Sequence, residues 1–457
     1  MRVLWVCNTM LPVVAAHFGL EASNKEGWLS GLCNVVMENQ NENGIELYLS
    51  FPMMKDMHIW GEKVPVGQGV VVCYGFREDT SKPEQYDATL ETELNSIAQE
   101  VNPDVIHCFG TEYPHTCAIC ETYPYKDRLL IGIQGLCSVY ANAYFADLPQ
   151  RVIGRVTFRD FLKKDSITKQ REKFIKRGEM EIRAVKAAGN VTGRTPWDKH
   201  YTGEWNPDAT YYSMNETLRP EFYEGEWKEE NCVPHSIFLS QGDYPIKGLH
   251  YMLLALPAIK ECYPDVKVYV AGNSIANYST LKDKIKISSY GKYIRELIKQ
   301  GGLEENVVFM GRLNAKQMKE AYLKSHLFVC CSAIENSPNS LGEAMLLGMP
   351  CVSADMGGVS GIFTGGEDGI FYEGFKTSAN SYDNMCYGDK IHEYSLQKNV
   401  KALSDAVIDM WSDKEKMQKY CKNARLHARK THNREQNYYN LQEIYASIAD
   451  ANQNQQV

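Results

Sequence analysis

The stretch IENSPNSLGEAMLLGMPCVSADMGGV, residues 334–359, predicts a loop, a helix and a buried strand in that order. Ser337 can cap the helix, and Pro338 fits its first turn, where a missing backbone N–H costs nothing. The run AMLLG supplies an apolar face, and Gly348 and Pro350 end the helix. CVSA then forms a short buried strand. With the strand before it, this segment is one unit of a parallel α/β sheet, in which ligands bind at the carboxyl ends of the strands.

Two carboxylates, Glu335 and Glu343, lie on either side of the helix start. The free backbone N–H groups and the helix dipole favour a phosphate there. Glu343 lies about 7–8 Å further along, at about 1.5 Å per residue, so the two carboxylates can accept hydroxyls from opposite ends of one nucleotide-sugar. The alternative is an ordinary capped helix that carries an exposed Glu. The backbone donors on this interpretation belong to Ser337, Asn339, Ser340 and Leu341.

The pattern Glu-x7-Glu, followed by A-M-x-x-G-x-P-x-V and a Gly-Gly loop, resembles the donor-site signature of retaining glycosyltransferases of family 4. The resemblance continues through residues 240–273 and 307–340 and covers nearly all of residues 237–373. It implies a GT-B fold of the α/β class, in which two Rossmann-like doubly wound domains face each other across a cleft. It also implies transfer of a sugar from a nucleotide-sugar, with retention, to a glycan, lipid-linked or small-molecule acceptor.

The resemblance also assigns roles to individual residues. Glu343 would hold the ribose hydroxyls and Glu335 a hydroxyl of the donor sugar. Lys247, after the strand SIFLSQ, would neutralise the diphosphate as charge develops in the transition state. The alternative for Lys247 is a solvated surface side chain. The other predicted donor-binding residues are Gly27, Gln241, Gly272 and Arg312.

The chain departs from the family pattern at two positions. Gly242 stands where the family typically has an Arg, so either Lys247 acts alone or another cation, such as Arg312, assists it. Gln134 stands where many members have a His, and glutamine cannot act as a general base. The predicted acceptor-side residues are Gln134, Glu112 and Arg194.

Composition narrows the class of protein. The 457 residues carry a net charge of −8, which argues against a nucleic-acid-binding protein. The sequence contains no run of 18 apolar residues, so it predicts no transmembrane helix. The fourteen scattered cysteines are typical of a reducing cytosol, so the expected location is cytoplasmic. No D-x-D triplet occurs, and we expect neither a metal nor another cofactor.

Alternating strands and helices predict two Rossmann-like domains. The predicted strands of the first domain are MRVLWVCN, IELYLSF, VVVCYGF, DVIHCFG, RLLIGIQG and AGNVTGR, and those of the second are SIFLSQG, VKVYVAGN, NVVFMGR, HLFVCCS and PCVSAD. The expected domains are residues 1–230 for the acceptor and residues 231–432 for the nucleotide-sugar. Residues 433–450 would form a terminal helix that crosses back to the first domain, as in the resembled family. Two other functions stay open on the same fold: a non-hydrolysing nucleotide-sugar epimerase, and a non-catalytic nucleotide-sugar-binding scaffold.

Residues 151–186 are strongly basic, with twelve Lys or Arg against five Asp or Glu. Apolar residues are interleaved with them, as in an amphipathic helix that lies on an anionic membrane. This pattern predicts a peripheral contact with the inner face of the membrane. The alternative is a solvated helix whose apolar side packs on its own domain.

Overall fold

A computed structural model describes residues 1–21, 27–53, 57–276, 280–374 and 389–454. The chain forms two compact units. The first contains Met1–Val139, Lys173–Arg219 and Thr431–Val457, and the second contains Tyr140–Glu172 and Pro220–Lys430. Residues 140–172 therefore belong to the second unit, although they precede the boundary expected near residue 230. The segment after residue 430 belongs to the first unit.

An eight-stranded sheet forms the centre of the first unit, in the order β3-β4-β2-β1-β5-β6-β7-β8. All neighbouring strands are parallel except β3 and β4. The two edge strands, β3 and β8, escape prediction because most of their residues are exposed or half-buried and give no apolar run. The strands are β1 (Arg2–Val6), β2 (Glu46–Met53), β3 (Trp60–Val66), β4 (Gly69–Arg77), β5 (Val105–Phe109), β6 (Leu129–Gly132), β7 (Asn190–Gly193) and β8 (Thr210–Ser213).

A six-stranded sheet forms the centre of the second unit, in the order β11-β10-β9-β12-β13-β14. Every neighbouring pair in it is parallel. Its strands are β9 (Val233–Leu239), β10 (Lys267–Ala271), β11 (Val307–Gly311), β12 (Ser325–Cys330), β13 (Cys351–Ala354) and β14 (Ile370–Tyr372). The five longer strands confirm the prediction, and the three-residue β14 was not predicted.

Helices connect these strands. They are α1 (Pro12–His17), α2 (Gly27–Glu38), α3 (Gln40–Asn43), α4 (Thr89–Val101), α5 (Pro114–Thr122), α6 (Cys137–Ala143), α7 (Gln150–Ile153), α8 (Phe158–Lys163), α9 (Ile167–Ala187), α10 (Pro196–Trp205), α11 (Leu249–Cys262), α12 (Leu281–Lys286), α13 (Ser289–Gln300), α14 (Ala315–Lys324), α15 (Asn339–Leu347), α16 (Asp389–Ser412), α17 (Lys414–Thr431) and α18 (Arg434–Asn454).

Strand β1 shows how the first sheet is covered on both faces. Val3 and Trp5 pack into one apolar cluster with residues of α2 and α18. Leu4 and Val6 point to the other face and join a cluster with α4, α5 and α9. Successive residues of a strand face opposite sides, so a continuous apolar run is expected when helices cover both faces of a parallel sheet.

His107, on β5, is completely buried in the first unit. Its Nδ1 lies 2.7 Å from the hydroxyl of Tyr445, which also accepts a hydrogen bond from the Trp5 indole at 2.9 Å. Burial lowers the pKa of His107 to about 3. The folded protein therefore holds a neutral imidazole at this position, and the Tyr445 hydroxyl donates to it.

We expect acid to weaken the fold through this histidine. In the unfolded chain His107 takes a proton below about pH 6.5, whereas the folded protein resists it until about pH 3. The folded-state pKa is the lower one, so the contribution of His107 to stability is complete above pH 6.5. It is lost at about 1.4 kcal/mol per pH unit as the pH falls. Urea unfolding of wild type and His107→Asn between pH 7.5 and 4.5 measures this slope.

The matched control is His200→Asn, at an exposed site on α10. His107→Asn should flatten the pH dependence of the unfolding free energy, whereas His200→Asn should leave it unchanged. Equal slopes for the wild type and His107→Asn would show that His107 is not held neutral.

Candidate functional site

The carboxyl edge of the second sheet brings together most of the residues predicted to bind a donor. Arg312 follows β11, Gly272 follows β10, Lys247 lies in the loop after β9, and Glu335 lies in the loop after β12. These four strands are neighbours in the sheet and all are parallel, so their following loops share one edge.

Lys247 and Glu335 form an ion pair at this edge. Lys247 Nζ donates to Glu335 Oε1 at 2.6 Å, and Ser332 Oγ donates to the same oxygen at 2.8 Å. The side chains of Lys247 and Glu335 are 20% and 11% exposed, so the pair is shielded but still reachable. An ammonium group has three N–H donors, and Glu335 uses one of them.

The electrostatics of the pair keep Lys247 charged. Burial disfavours the ammonium, but the neighbouring Glu335 carboxylate outweighs burial and raises the pKa of Lys247 above its usual value. The phenol of Tyr140 lies in the same site, where its oxygen accepts the backbone N–H of Asn336 at 3.0 Å. Burial, and then Glu335, raise the pKa of Tyr140, so this phenol is neutral at physiological pH.

Main-chain contacts hold the loops together. The N–H of Ala333 donates to the carbonyl of Ile246 at 2.7 Å, and the N–H of Gly358 donates to the carbonyl of Glu335 at 2.9 Å. Gly357 has φ +58°, and a Cβ at that position would lie 2.1 Å from the Glu335 carbonyl oxygen. The Gly-Gly loop therefore packs directly against the backbone of Glu335.

Gly248 is the second glycine that the site requires. It has φ +72° and connects the 3₁₀ turn Pro245–Lys247 to α11. A Cβ on Gly248 would lie 1.8 Å from the carbonyl oxygen of Cys331. The loops after β9 and β12 can approach this closely only because the residue after Lys247 has no side chain.

Helix α15 begins one residue later than predicted. Pro338 is its N-cap residue and makes no side-chain cap hydrogen bond, so the prediction that Ser337 is the N-cap residue is wrong. The reason is that Pro338 has an extended ψ of 111°, and helical dihedral angles begin at Asn339. Gly348, in the left-handed conformation, ends the helix and confirms that prediction.

The first turn of α15 is fixed in place, and Glu343 lies five residues into the helix. Tyr322 donates its hydroxyl to the carbonyl of Ser340 at 2.9 Å. Leu341 is buried, and Glu343 is only 3% exposed. The alternative interpretation of an exposed Glu on a capped helix is therefore wrong for Glu343.

Arg312 belongs to a polar chain at the same edge. Its Nε donates to Asn273 Oδ1 at 2.8 Å, and Asn273 donates from its side chain and backbone to the carboxylate of Asp243. Gly272 has φ +101°, and a Cβ there would lie 2.4 Å from Asp243 Oδ1. Residues after β11, β10 and β9 are thereby connected, and the half-buried Gln241 lies in the same loop as Asp243.

Gly242 occupies the place of the expected arginine, and it is tightly enclosed. A Cβ at Gly242 would lie 2.9 Å from methyl groups of both Leu249 and Val270. A longer side chain would have to displace them. In this chain the space at position 242 is thus filled by apolar packing, and the exposed Arg312 is a second cation at the sheet edge that carries Lys247.

Gly27 is the first residue of α2, and residues 22–26 of the loop before it lie outside the described residues. A Cβ at Gly27 would lie 2.7 Å from Cδ of Arg219. The Arg219 side chain, from the same unit, therefore packs into the space that the absence of a side chain at Gly27 leaves. Its predicted approach to donor phosphates stays a prediction.

Two of the predicted acceptor-side residues, Arg194 and Gln134, are hydrogen-bonded to each other in the first unit. Arg194 pairs with Glu216 at 2.7 Å, and both side chains are at most 5% exposed. The other end of the Arg194 guanidinium donates to the backbone and side-chain oxygens of Gln134 at 3.2 and 3.4 Å. Gln134 is therefore held by a fixed cation at the carboxyl end of β6.

Glu112 and Glu181 lie near the same end of the first sheet. Burial raises the pKa of Glu112, while the nearby Arg177 opposes that effect. Glu181, on α9, accepts hydrogen bonds from Thr111 and from the first residues of α6. Burial raises the pKa of Glu181 to about 7. Glu181 thus fixes the loops after β5 and β6.

Some residues of the site were missed in the sequence. Asp243 and Asn273 are polar residues just after buried strands, which is a signal that was available. Ser332 also follows a strand, but it stands in the run CCSAIE, where nothing marks it. Tyr140 had no signal, because it lies 196 positions from its partner Asn336.

Comparison with known proteins agrees with this geometry. Residues 230–382 match the family model of glycosyl transferases group 1. The chain is 30% identical to the phosphatidyl-myo-inositol mannosyltransferase of Mycobacterium leprae (strain TN) over 135 residues. This alignment covers 29% of this chain and 31% of that protein. The chain spans less than half the length of the curated relatives it matches.

Solved structures match nearly the whole chain. The sucrose-phosphate synthase of Thermosynechococcus elongatus aligns with a TM-score of 0.67, covering 99% of this chain and 100% of that chain at 13% identity. HepE of Anabaena, solved in complex with UDP-glucose, aligns with a TM-score of 0.61, covering 98% and 100% at 14% identity.

The chain therefore has the GT-B fold, with two Rossmann-like units, and its residues 230–382 match the glycosyl transferases of group 1. The resemblance to retaining family 4 fits these matches. Among the described residues, no helix is long and apolar enough to cross a bilayer. In the same part of the chain, no three His, Cys, Asp or Glu side chains are grouped so that they could hold a metal ion.

Proposed function

We propose that this protein is a retaining glycosyltransferase that moves a sugar from a nucleotide-sugar to a glycan, lipid-linked or small-molecule acceptor. The observation that carries this proposal is the shielded Lys247–Glu335 pair beside the start of α15, at the carboxyl edge of a parallel sheet. A cation, a helix N-terminus and two carboxylates in one place suit a ligand that is anionic at one end and rich in hydroxyls at the other.

The donor is proposed to be a nucleoside diphosphate sugar. The HepE structure holds UDP-glucose on the same fold, which supports this ligand class here. Glu343 is proposed to accept hydrogen bonds from the ribose hydroxyls, and Glu335 is proposed to accept one from a hydroxyl of the sugar. The backbone N–H groups of residues 337–341 and the charged Lys247 would hold the diphosphate.

The proposed transfer needs a fixed positive field where the leaving group gains charge. Lys247 supplies it, because Glu335 keeps the ammonium charged and holds it in place. The leaving phosphate oxygen would take the proton of the incoming hydroxyl on the same face of the sugar, which retains the anomeric configuration. Preorganised charge of this kind acts more strongly in the transition state than in the ground state.

The acceptor is proposed to be bound by residues of the first unit. Gln134 is held by Arg194 and can donate or accept a hydrogen bond to a sugar hydroxyl, although it cannot act as a base. Glu112 follows β5, the strand beside β6, so it lies at the same edge.

Glu343→Ala is expected to weaken nucleoside diphosphate binding at least tenfold. The reason is the loss of charge-assisted hydrogen bonds to ribose, about 1.5–3 kcal/mol. Isothermal titration calorimetry with UDP, GDP and ADP measures the effect and also identifies the base.

The matched control is Glu320→Ala, which removes an exposed carboxylate on the neighbouring helix α14. Glu320→Ala should bind like the wild type. If a folded Glu343→Ala variant binds the preferred nucleotide as tightly as the wild type does, Glu343 does not hold the ribose.

A further inference from the structure

Two short helices of the second unit carry large apolar side chains on the protein surface. Helix α8 and the residues before it come from the first half of the sequence, and α12 comes from the second half. We call these side chains the apolar patch. Phe161 is 73% exposed and Leu281 is 77% exposed. The apolar patch consists of Val156, Phe158, Phe161, Leu162, Leu281 and Ile285, each more than half exposed.

The two helices contact each other, and their surroundings hold them in place. Helix α8 starts with a capping box between Thr157 and Asp160, and α12 starts with another between Thr280 and Asp283. Asp160 also accepts the N–H of Ser289 at 2.9 Å, three residues after α12 ends. The apolar patch is therefore presented on a fixed support.

The structure changes the expectation of one amphipathic helix over residues 151–186. Lys164, with φ +50°, ends α8, and α9 starts anew at Ile167. Part of the apolar side of α9 packs inward, since Met180 and Val185 are buried in the first unit. These two residues fit the alternative interpretation of a helix that packs on its own domain, while Ile175 of the same helix is 37% exposed. The apolar patch belongs to α8, with the residues before it, and to α12.

Basic residues outnumber acidic ones in the two segments that carry the apolar patch. Residues 151–165 and 280–286 contain eight Lys or Arg against three Asp, in a chain whose net charge is −8. Lys163, Lys164 and Lys286 are exposed, and they make no ion pair with any residue that the structure describes. These three lysines, at the ends of the two helices that carry the apolar patch, thus remain available to an external anion.

We propose that the apolar patch docks on the surface of a phospholipid bilayer that carries anionic headgroups. Its six apolar side chains would enter the boundary between headgroups and acyl chains, and the lysines around it would contact phosphates. A second copy of this chain fits less well, because a symmetric contact would bring the same lysines together. The proposal does not depend on sugar transfer, since no residue of the donor site takes part in it.

The test is co-sedimentation with vesicles of phosphatidylcholine, with and without phosphatidylglycerol. The wild type should bind the anionic vesicles, and high salt should weaken that binding. Phe161→Asp together with Leu281→Asp should lower the binding roughly tenfold or more, because both side chains would then resist entry into the bilayer. Lys163→Gln together with Lys164→Gln should weaken binding to anionic vesicles alone.

The matched controls lie outside the apolar patch. Leu426→Asp changes another exposed apolar residue, and Lys419→Gln with Lys422→Gln changes two exposed lysines of α17. Neither control should alter vesicle binding. Nucleotide binding by every variant shows that the second unit is folded. The proposal is overturned if the wild type ignores anionic vesicles, if the controls lose binding equally, or if Phe161→Asp instead converts a dimer into a monomer.

Discussion

Replacing Lys247 by alanine is expected to lower kcat about 100-fold and to raise KM much less. Removal of one preorganised electrostatic contact costs about that much when the contact strengthens in the transition state. Lys247 is paired and mostly shielded, so little rearrangement is needed when the leaving group gains charge. A radiolabelled donor assay under saturating conditions separates kcat from KM.

The same experiment tests the proposed independence from metal. Transfer releases a nucleoside diphosphate with more charge than the donor ester, and either a divalent ion or protein groups must meet that charge. Activity of the wild type should therefore survive EDTA. If EDTA abolishes transfer and manganese restores it, the metal-free proposal is wrong.

Two further variants make the Lys247 result specific. Lys316→Ala removes an exposed lysine of α14 and should keep full activity. Arg312→Ala reports whether the second cation of the sheet edge contributes. Full turnover by a folded Lys247→Ala variant would show that another cation has the role proposed for Lys247. Loss of turnover in Arg312→Ala would then identify Arg312 as that cation.

Gly248→Ala is expected to destabilise the second unit by about 3–5 kcal/mol and to abolish most activity. A methyl group at this position would overlap the backbone carbonyl of Cys331, which cannot swing aside as a side chain can. The loops that carry Lys247 and Glu335 would be forced apart. Urea unfolding, followed by tryptophan fluorescence, measures the loss.

Gly302→Ala is the matched control. Gly302 also has a positive φ, +59°, but a Cβ there meets nothing within 4 Å. Its cost should be the backbone strain alone, about 1–2 kcal/mol. The difference between the two variants isolates the close approach of the loops. Equal destabilisation would mean that the loops after β9 and β12 are not in contact in solution.

Most strands of the second unit could be predicted from the sequence, because these strands are buried on both faces. Nearly continuous apolar runs such as LFVCC and VKVYVAG are typical of strands in a parallel sheet that helices cover on both faces. Strand β3 reads WGEKVPV, and its exposed edge position leaves no such run. The assignment of residues 140–172 to the second unit depends on long-range contacts, such as that between Asp160 and Ser289. No local pattern predicts those contacts.

The site was predictable where chemistry and spacing coincide. Lys247 and Glu335 were both predicted from loops after strands, but their direct hydrogen bond joins positions 88 apart in the chain. The predicted N-cap residue of α15 was wrong by one position. The conformation of Pro338 decides where the helix begins, and the sequence allows a start at either position. Gly248 has a positive φ and lies close to the carbonyl of Cys331, and only the folded chain reveals these two reasons for a glycine there.

The hydrogen bond between Trp5 and Tyr445 sets an order of events during synthesis. Strand β1 leaves the ribosome long before α18, because the Tyr445 partner of Trp5 is made 440 residues later. Until then, the face of the first sheet that α18 covers has no helix at that place, and Trp5 and His107 lack their shared hydroxyl. Synthesis of the first unit therefore starts before that of the second unit and is completed after it, and the nascent chain must keep this apolar face away from other chains until α18 is made.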